Sequence, residues 1–191
     1  MNVFLPVSRK LFPAALIVFA ALCADTSSLF AQQERISPHE TISAVIDGNR
    51  ATIVYGRPHT KDPKTGAVRK IWGGLVPYGK VWRTGADEAT LFITQKALLL
   101  GGTTVPAGTY TLWTLPQADG SAQLVVSKQV GQWGEEYDPS QDLARIDLAR
   151  ESLNSPVDQF TMAIEKKPGG GGTLKMSWES TGFWVPFSVA K

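Results

Sequence analysis

Residues 109–115 read TYTLWTL, which makes them the clearest strand in the chain because they are rich in threonine and aromatic residues. A turn precedes them at residues 105–108 (VPAG), where proline stands second and glycine fourth. A second turn at residues 116–120 leads into the apolar run of residues 123–127 (QLVVS). The pattern therefore predicts two antiparallel strands joined by a short loop.

Short strands and turns continue in both directions from this pair. Residues 41–46 and 51–55 alternate around the turn at residues 47–49 (DGN), which predicts a hairpin. Residues 143–150 fit either a strand or a helix, and the alternation of their apolar and charged residues favours the strand. Further strands are expected at residues 90–94, 97–100, 159–165, 173–179 and 183–189.

About eight to ten short strands without a strong helical pattern predict an all-β fold. We expect a single antiparallel β-sandwich of the jelly-roll or immunoglobulin-like kind, with one long irregular segment packed on it. The inner faces of its strands are expected to carry Ile53, Phe92, Leu112, Val125, Phe160, Ile164, Met176 and Trp178.

The N-terminus has the order of a secretory signal peptide: basic residues, an apolar run at residues 11–23, then small residues up to Ala31. The apolar run is shorter than the about 20 residues that a membrane-spanning helix needs. We expect cleavage after Ala31, with a site near Cys23 as the alternative. Residues 1–31 would then be the signal peptide and residues 32–191 a single domain, exported to the periplasm or the extracellular space without a transmembrane segment.

Composition narrows the classes of function. The 19 basic and 17 acidic residues nearly balance, and no run of lysine and arginine is long enough to follow a nucleic-acid backbone. The single cysteine, Cys23, lies in the predicted leader, so the exported domain would rely on its core and not on disulfides. We therefore predict no nucleic-acid partner, and no motif in the sequence indicates a cofactor.

Residues 82–90 (WRTGADEAT) form the densest polar cluster in the chain and close a long irregular segment. Such loops inside compact domains are uncommon and are usually functional or packed on themselves, so we expect this one to fold across one end or face of the sheet. Gly85 predicts a tight turn with positive φ. Arg83 has two open interpretations: it pairs with Asp87 or Glu88, or it stays free for an anionic or sugar ligand.

Several aromatic residues also lie in irregular segments. They either pack the loops onto the sheet or form an exposed stacking platform beside Arg57, Arg83 and Glu88. A platform of this kind would suit a small-molecule, glycan or peptide ligand. The aromatic residues concerned are Trp72, Tyr78, Trp82, Trp133 and Tyr137.

His59 is the candidate for acid–base chemistry. It is interpreted either as a surface histidine beside a proline, or as a general base oriented by Asp87 or Glu88 if the irregular segment folds back. The same residues and Asp62 are the only plausible metal ligands, but their spacing follows no zinc pattern, so we predict no metal site.

Four motifs carry a resemblance to a known family. They are residues 55–58 (YGRP), 71–90 (IWGGLVPYGKVWRTGADEAT) and 105–110 (VPAGTY), and Trp133-Gly134 with Tyr137-Asp138. On these motifs the chain resembles an exported bacterial family, domain of unknown function 2911, over nearly the whole predicted mature chain. The turn at residues 62–68 is longer than the family pattern. The resemblance implies a β-rich exported domain and no particular activity.

Two functions from different classes stay open at this point. We favour a non-catalytic binding or interaction module of the bacterial cell envelope, because no nucleophile motif is recognisable. The alternative is a hydrolase in which His59 or Glu88 is the base and Arg83 stabilises negative charge. The sequence indicates no oligomeric state. The predicted binding residues are Arg57, His59, Trp72, Trp82, Arg83, Asp87, Glu88, Trp133 and Tyr137.

Overall fold

A computed structural model describes residues 35–190, so the predicted leader at residues 1–31 and its cleavage site lie outside the described part. Within that range the chain forms nine strands and contains no α-helix. The strands are β1 His39–Ile46, β2 Asn49–Gly56, β3 Thr90–Thr94, β4 Leu98–Leu100, β5 Thr103–Val105, β6 Gly108–Pro116, β7 Ala122–Ser127, β8 Asp142–Lys166 and β9 Gly172–Val189.

All nine strands belong to one antiparallel sheet in the order β1-β2-β3-β6-β7-β8-β9-β4-β5. The sheet turns at β8, whose 25 residues pair with β7 near their start and with β9 over the rest. The predicted all-β antiparallel fold is therefore confirmed. Hydrogen bonding links the strands into one sheet that does not close on itself, so the division into the two sheets of a sandwich stays a prediction.

The hairpin of β1 and β2 shows how local sequence sets the register. Asp47 and Gly48 have φ values of 51° and 71°, the positive values that both central residues of a type I′ turn require. This turn places Ile46 opposite Asn49 and continues the pairing as far as His39 opposite Gly56. The predicted hairpin is thus confirmed, as is the pairing of β6 with β7.

The predicted core is largely confirmed. Seven of its eight residues are buried, and Ile164 is half-buried against the main cluster. Strand β6 is buried on both faces: Leu112 packs into the main core, while Trp113 lies in a second cluster with Ala89 and Val125. Because that second cluster forms under the loops, β6 joins the core to the irregular segments.

The strands β8 and β9 are longer than the pattern predicts. Residues 143–150 are strand, so the helical interpretation is wrong. The strands expected at 143–150 and 159–165 are two parts of β8, which has irregularities in its pairing between Ser152 and Thr161. In the same way, residues 173–179 and 183–189 both belong to β9.

The irregular segment between β2 and β3 packs along the sheet, as predicted. Trp82 exchanges two backbone hydrogen bonds with Thr114 of β6, each 2.8 Å long, and the amide of Gly79 donates to the carbonyl of Pro116. Strand β3 begins only at Thr90, opposite Leu112, so the segment extends the same edge of β6 beyond the end of β3. This pairing fixes Arg83, the next residue, against the sheet.

Candidate functional site

The polar cluster at residues 82–90 is held by close backbone approaches. Gly85 was predicted to adopt positive φ, and this prediction is wrong: the positive values belong to Thr84 (52°) and Asp87 (65°). A Cβ on Gly85 would lie 2.9 Å from the carbonyl oxygen of Gly56 and 3.0 Å from Oγ1 of Thr90. Glycine stands at this position because the loop passes too close to β2 for a side chain.

Buried hydroxyl groups also fix the cluster. The hydroxyl of Thr90 donates to the carbonyl oxygen of Thr84 over 2.8 Å, and the hydroxyls of Thr84 and Thr114 lie 2.7 Å apart. All three threonines are fully buried. Since buried polar groups are costly unless paired, this network holds the loop to β6 in one arrangement.

The acids of the cluster meet His39, the first residue of β1. Oδ2 of Asp87 lies 3.2 Å from Nε2 of His39, and Oε2 of Glu88 lies 3.4 Å from the same nitrogen. Adjacent residues of a strand point to opposite faces, an arrangement that would separate the side chains of Asp87 and Glu88. The positive φ of Asp87 breaks that alternation, so both carboxylates reach one imidazole.

Glu88 is further compensated by Arg35, whose Nε donates to Oε1 over 2.8 Å. Burial on its own raises the pKa of Glu88, but the hydrogen bond from Arg35 and the nearby charges outweigh it and lower that pKa below its usual range. Glu88 is therefore a carboxylate at neutral pH and a poor proton acceptor.

A cleft with a volume of about 530 Å³ opens beside this cluster. Four predicted binding residues line it, together with residues that no sequence pattern indicated. The predicted ones are Trp82, Arg83, Asp87 and Tyr137; the others include Ser37, Arg69, Leu75, Trp113 and Glu135.

Arg83 enters the cleft across the backbone of Gly134. A Cβ on Gly134 would lie 2.0 Å from Cδ of Arg83, so only glycine leaves room for this side chain. Within residues 35–190, Nε of Arg83 is buried without a hydrogen-bond partner. An ion pair joins its Nη1 to Oε1 of Glu135 over 3.5 Å, and the Glu135 side chain is 77% exposed. Neither Asp87 nor Glu88 pairs with Arg83 in the described structure, so that interpretation is wrong.

Arg57 is the opposite case, because its guanidinium is fully engaged. It pairs with Glu40 over 3.0 Å and donates to the carbonyl oxygen of Phe160 and the hydroxyl of Thr161. These contacts tie the end of β2 to β8. Arg57 therefore has a structural role and does not line the cleft.

Arg69 is the second guanidinium of the cleft, and no periodic pattern or motif drew attention to it. One of its terminal nitrogens donates to the carbonyl oxygen of His59, while its Nε is buried without a partner among residues 35–190. Only the path of the irregular segment brings Arg69 and Arg83 to one cleft, so the sequence alone could not associate them.

Most of the selected aromatic residues pack the loops onto the sheet. Trp82 stacks on Trp178 with ring centroids 5.8 Å apart, and Trp72 meets Trp82 and Phe183 edge to face. Trp133 is half-buried, and its backbone pairs with that of Glu88. These contacts favour the loop-packing interpretation over an exposed stacking platform.

Tyr137 forms part of the cleft wall and also contacts Trp113. Its hydroxyl donates to the carboxylate of Asp142 over 2.7 Å and accepts from Arg145 over 3.0 Å. Burial, followed by the hydrogen bond to Asp142, raises the pKa of Tyr137 to about 12. The hydroxyl is therefore protonated at neutral pH, and its contacts lie within the protein.

His59 does not meet the acids of the polar cluster. Its Nδ1 lies 3.1 Å from Oδ2 of Asp158, and the two side chains are 41% and 61% exposed. Hydrogen bonds from Thr60 and His59 lower the pKa of Asp158. Of the two interpretations of His59, the approach to Asp87 or Glu88 is wrong, because His39 occupies that place. Residues 35–190 contain no group of three or more metal-ligating side chains that could hold a metal ion.

Comparison with protein-family models assigns the chain to a family. A family model described as "Protein of unknown function (DUF2911)" matches residues 37–187. The chain belongs to this family. The match confirms the resemblance read from the motifs, and the DUF2911 region contains all nine strands except the last two residues of β9. It also contains both guanidinium groups of the cleft.

Two further comparisons gave no match for this DUF2911 chain, one with curated proteins and one with solved structures. Across residues 35–190, we found no helix with the length and apolar character needed to cross a membrane.

Proposed function

We propose that the protein is an exported, non-catalytic binding module of the bacterial cell envelope, and that the cleft around Arg83 is its binding site. The observation that carries the proposal is the state of that guanidinium. It is only 27% exposed, its Nε is buried without a partner among the described residues, and its carboxylate contact is long. A partly desolvated charge with so little compensation is costly, which is a feature more typical of sites than of scaffolds.

The size and lining of the cleft support the same proposal. Its volume falls within the about 300–1,000 Å³ of small-molecule sites, and its lining mixes apolar side chains with charged and polar ones. Arg83 and Arg69 supply hydrogen-bond donors, while Trp82 and Tyr137 form part of the wall. The ligand is therefore proposed to be a small molecule with at least one acceptor or anionic group.

No contact among residues 35–190 favours the hydrolase alternative. Its base was to be His59 or Glu88, but His59 pairs with Asp158, and Glu88 is held as a carboxylate by Arg35 and His39. A general base has to reach the proton it removes, and neither group lines the Arg83 cleft.

The binding proposal is tested by nuclear magnetic resonance with a panel of small anionic, neutral and cationic fragments. We expect anionic fragments to shift the indole signal of Trp82 and the Nε signal of Arg83 in the wild-type protein. Arg83→Gln keeps a polar side chain but removes the charge, so the same fragments should bind about 10- to 100-fold more weakly to it.

Arg57→Gln is the matched control, because it removes an arginine that lies outside the cleft lining. It is expected to lower thermal stability and to leave the fragment shifts of the cleft unchanged. If no fragment perturbs the cleft of the folded wild-type protein, the binding proposal is wrong.

The cellular location is a separate part of the proposal, and it rests on the order of residues in the N-terminal stretch. We expect cell fractionation to recover the protein outside the cytoplasm, and intact-mass measurement to show Gln32 as its first residue. Recovery in the cytoplasm with residues 1–31 still attached would contradict export.

A further inference from the structure

We infer that the ligand of the Arg83 cleft is a small amphipathic carboxylate, with one carboxylate group on an apolar body. This inference rests on the proposed function and names the chemical class of the ligand. Three features of the described structure support it. Two guanidinium groups have N–H donors without a hydrogen-bond partner, the carboxylate of Glu135 already lies near one of these groups, and the rim of the cleft is apolar.

The N–H donors of the two arginines define where the carboxylate of the ligand binds. Arg83 and Arg69 line the same cleft, and each has an Nε that is buried without a hydrogen-bond partner among residues 35–190. Among residues 35–190, the Nη atoms of Arg83 have only the long contact with Glu135, so they are the groups on which a ligand's acceptor can dock. A planar guanidinium fork matches the two oxygens of a carboxylate.

Glu135 indicates the kind of anion that fits. Its carboxylate approaches Nη1 of Arg83 to 3.5 Å, which is longer than a charge-assisted hydrogen bond, and its side chain is 77% exposed. An exposed pair of this kind contributes little to stability, so a ligand can displace Glu135 at small cost. The position of its carboxylate is the position proposed for the carboxylate of the ligand.

The acids of the cleft disfavour a second negative charge on the ligand. Two acids, Asp87 and Glu135, share the lining with Arg69 and Arg83. Asp87 is engaged by His39, but its charge still lowers the positive potential of the cleft. A dianionic phosphate would meet more repulsion from these acids than a carboxylate does.

The rim of the cleft supplies an apolar surface for the body of the ligand. Leu75 and Ile36 both line the cleft, and they are 44% and 50% exposed. Val81 and Pro58 also line the cleft. An alkyl or ring body lying on the rim would bury these side chains, which a bare anion would not do.

The experiment compares four probes on the purified protein by calorimetry and nuclear magnetic resonance: octanoate, acetate, octyl phosphate and octyl glucoside. We expect octanoate to bind about tenfold or more tightly than acetate, because only octanoate reaches the rim. We also expect it to bind more tightly than octyl phosphate and octyl glucoside. Leu75→Ser should weaken the binding of octanoate and leave the binding of acetate unchanged. Arg83→Gln should weaken the binding of both.

Glu135→Gln and Glu136→Gln form a matched pair for the displacement step. Both residues are exposed and adjacent, but only Glu135 contacts Arg83. Removing the charge of Glu135 should tighten octanoate binding several-fold, and removing that of Glu136 should not. Equal effects of the two substitutions would contradict the place assigned to the carboxylate.

The remaining outcomes separate this inference from the proposed function. Equal affinities for acetate and octanoate, or a higher affinity for octyl phosphate or octyl glucoside than for octanoate, would overturn the inference of an amphipathic carboxylate ligand. The proposed binding function would still stand. If none of the four probes and none of the fragments perturbs the cleft, both the inference and the proposed function fail.

Discussion

Replacing Trp178 with alanine is expected to lower the free energy of unfolding by about 3–5 kcal/mol, the usual cost of removing a large buried aromatic side chain. Trp178 lies on β9 with no exposed surface, stacks on Trp82 and meets Phe160 edge to face. Its indole nitrogen also donates to the carbonyl oxygen of Asp158 over 3.2 Å. The substitution therefore removes packing and a hydrogen bond together. In thermal unfolding, the loss corresponds to a decrease in Tm of roughly 6–20 °C.

Trp133→Ala is the matched control, since Trp133 is a half-buried tryptophan in a loop and belongs to neither buried cluster. Its substitution should cost clearly less than that of Trp178. Trp178→Phe should recover part of the stability by keeping a ring in the core. Comparable losses for Trp178→Ala and Trp133→Ala in urea unfolding would show that the stacked pair is not central to the fold.

The Trp178 site also shows what the sequence could predict. The alternation in residues 173–179 indicates that Trp178 faces inward, and the alternation in residues 51–55 predicts the strand that carries Ile53. The strand that carries Leu112 was predicted from its threonine and aromatic content. Periodicity does not show how far a strand continues. The pairing of β8 and β9 crosses irregular positions between Ser152 and Thr161, where the alternation is interrupted, so one long strand looked like two.

The candidate site was predictable only in part, for a different physical reason. Residue type marked Arg83, Trp82 and Asp87 as chemically capable, and the structure places them along one cleft. Their partners depend on the route of an aperiodic chain. The positive φ of Asp87 directs its carboxylate to His39, and the same route brings Arg69 to Arg83. No local pattern encodes such contacts between distant residues.

Gly134 is the backbone position on which the Arg83 side chain lies as it enters the cleft. Substituting Gly134 is the second change from which we expect a large effect. A Cβ at this position would lie 2.0 Å from Cδ and 2.9 Å from Cβ of Arg83, and 2.6 Å from the carbonyl oxygen of Asp87. The same carbonyl accepts the hydrogen bond from the Gly134 amide over 2.9 Å. The crowding involves backbone and the root of a side chain, so it cannot be relieved by a rotation at the end of Arg83.

We therefore expect Gly134→Ala to destabilise the protein by about 1–3 kcal/mol, as overpacking does, and to displace the Arg83 side chain. Displacement should shift the Nε signal of Arg83 in nuclear magnetic resonance and speed its hydrogen exchange, because the atom is buried in the wild-type protein. These measurements need no ligand, so they test how the site is built independently of what it binds.

Gly131→Ala separates the site effect from general loss of stability. Gly131 lies in the same loop with φ of 81°, and a Cβ there would meet no atom within 4 Å. Alanine at this position costs about 1–2 kcal/mol for its left-handed backbone but leaves the space around Arg83 unchanged. If the chemical shift of Arg83 Nε changes in Gly134→Ala and does not change in Gly131→Ala, Gly134 is the position that supports the guanidinium. Equal shifts in both variants, or none in either, would show that Arg83 is held by something other than the bare backbone beneath it.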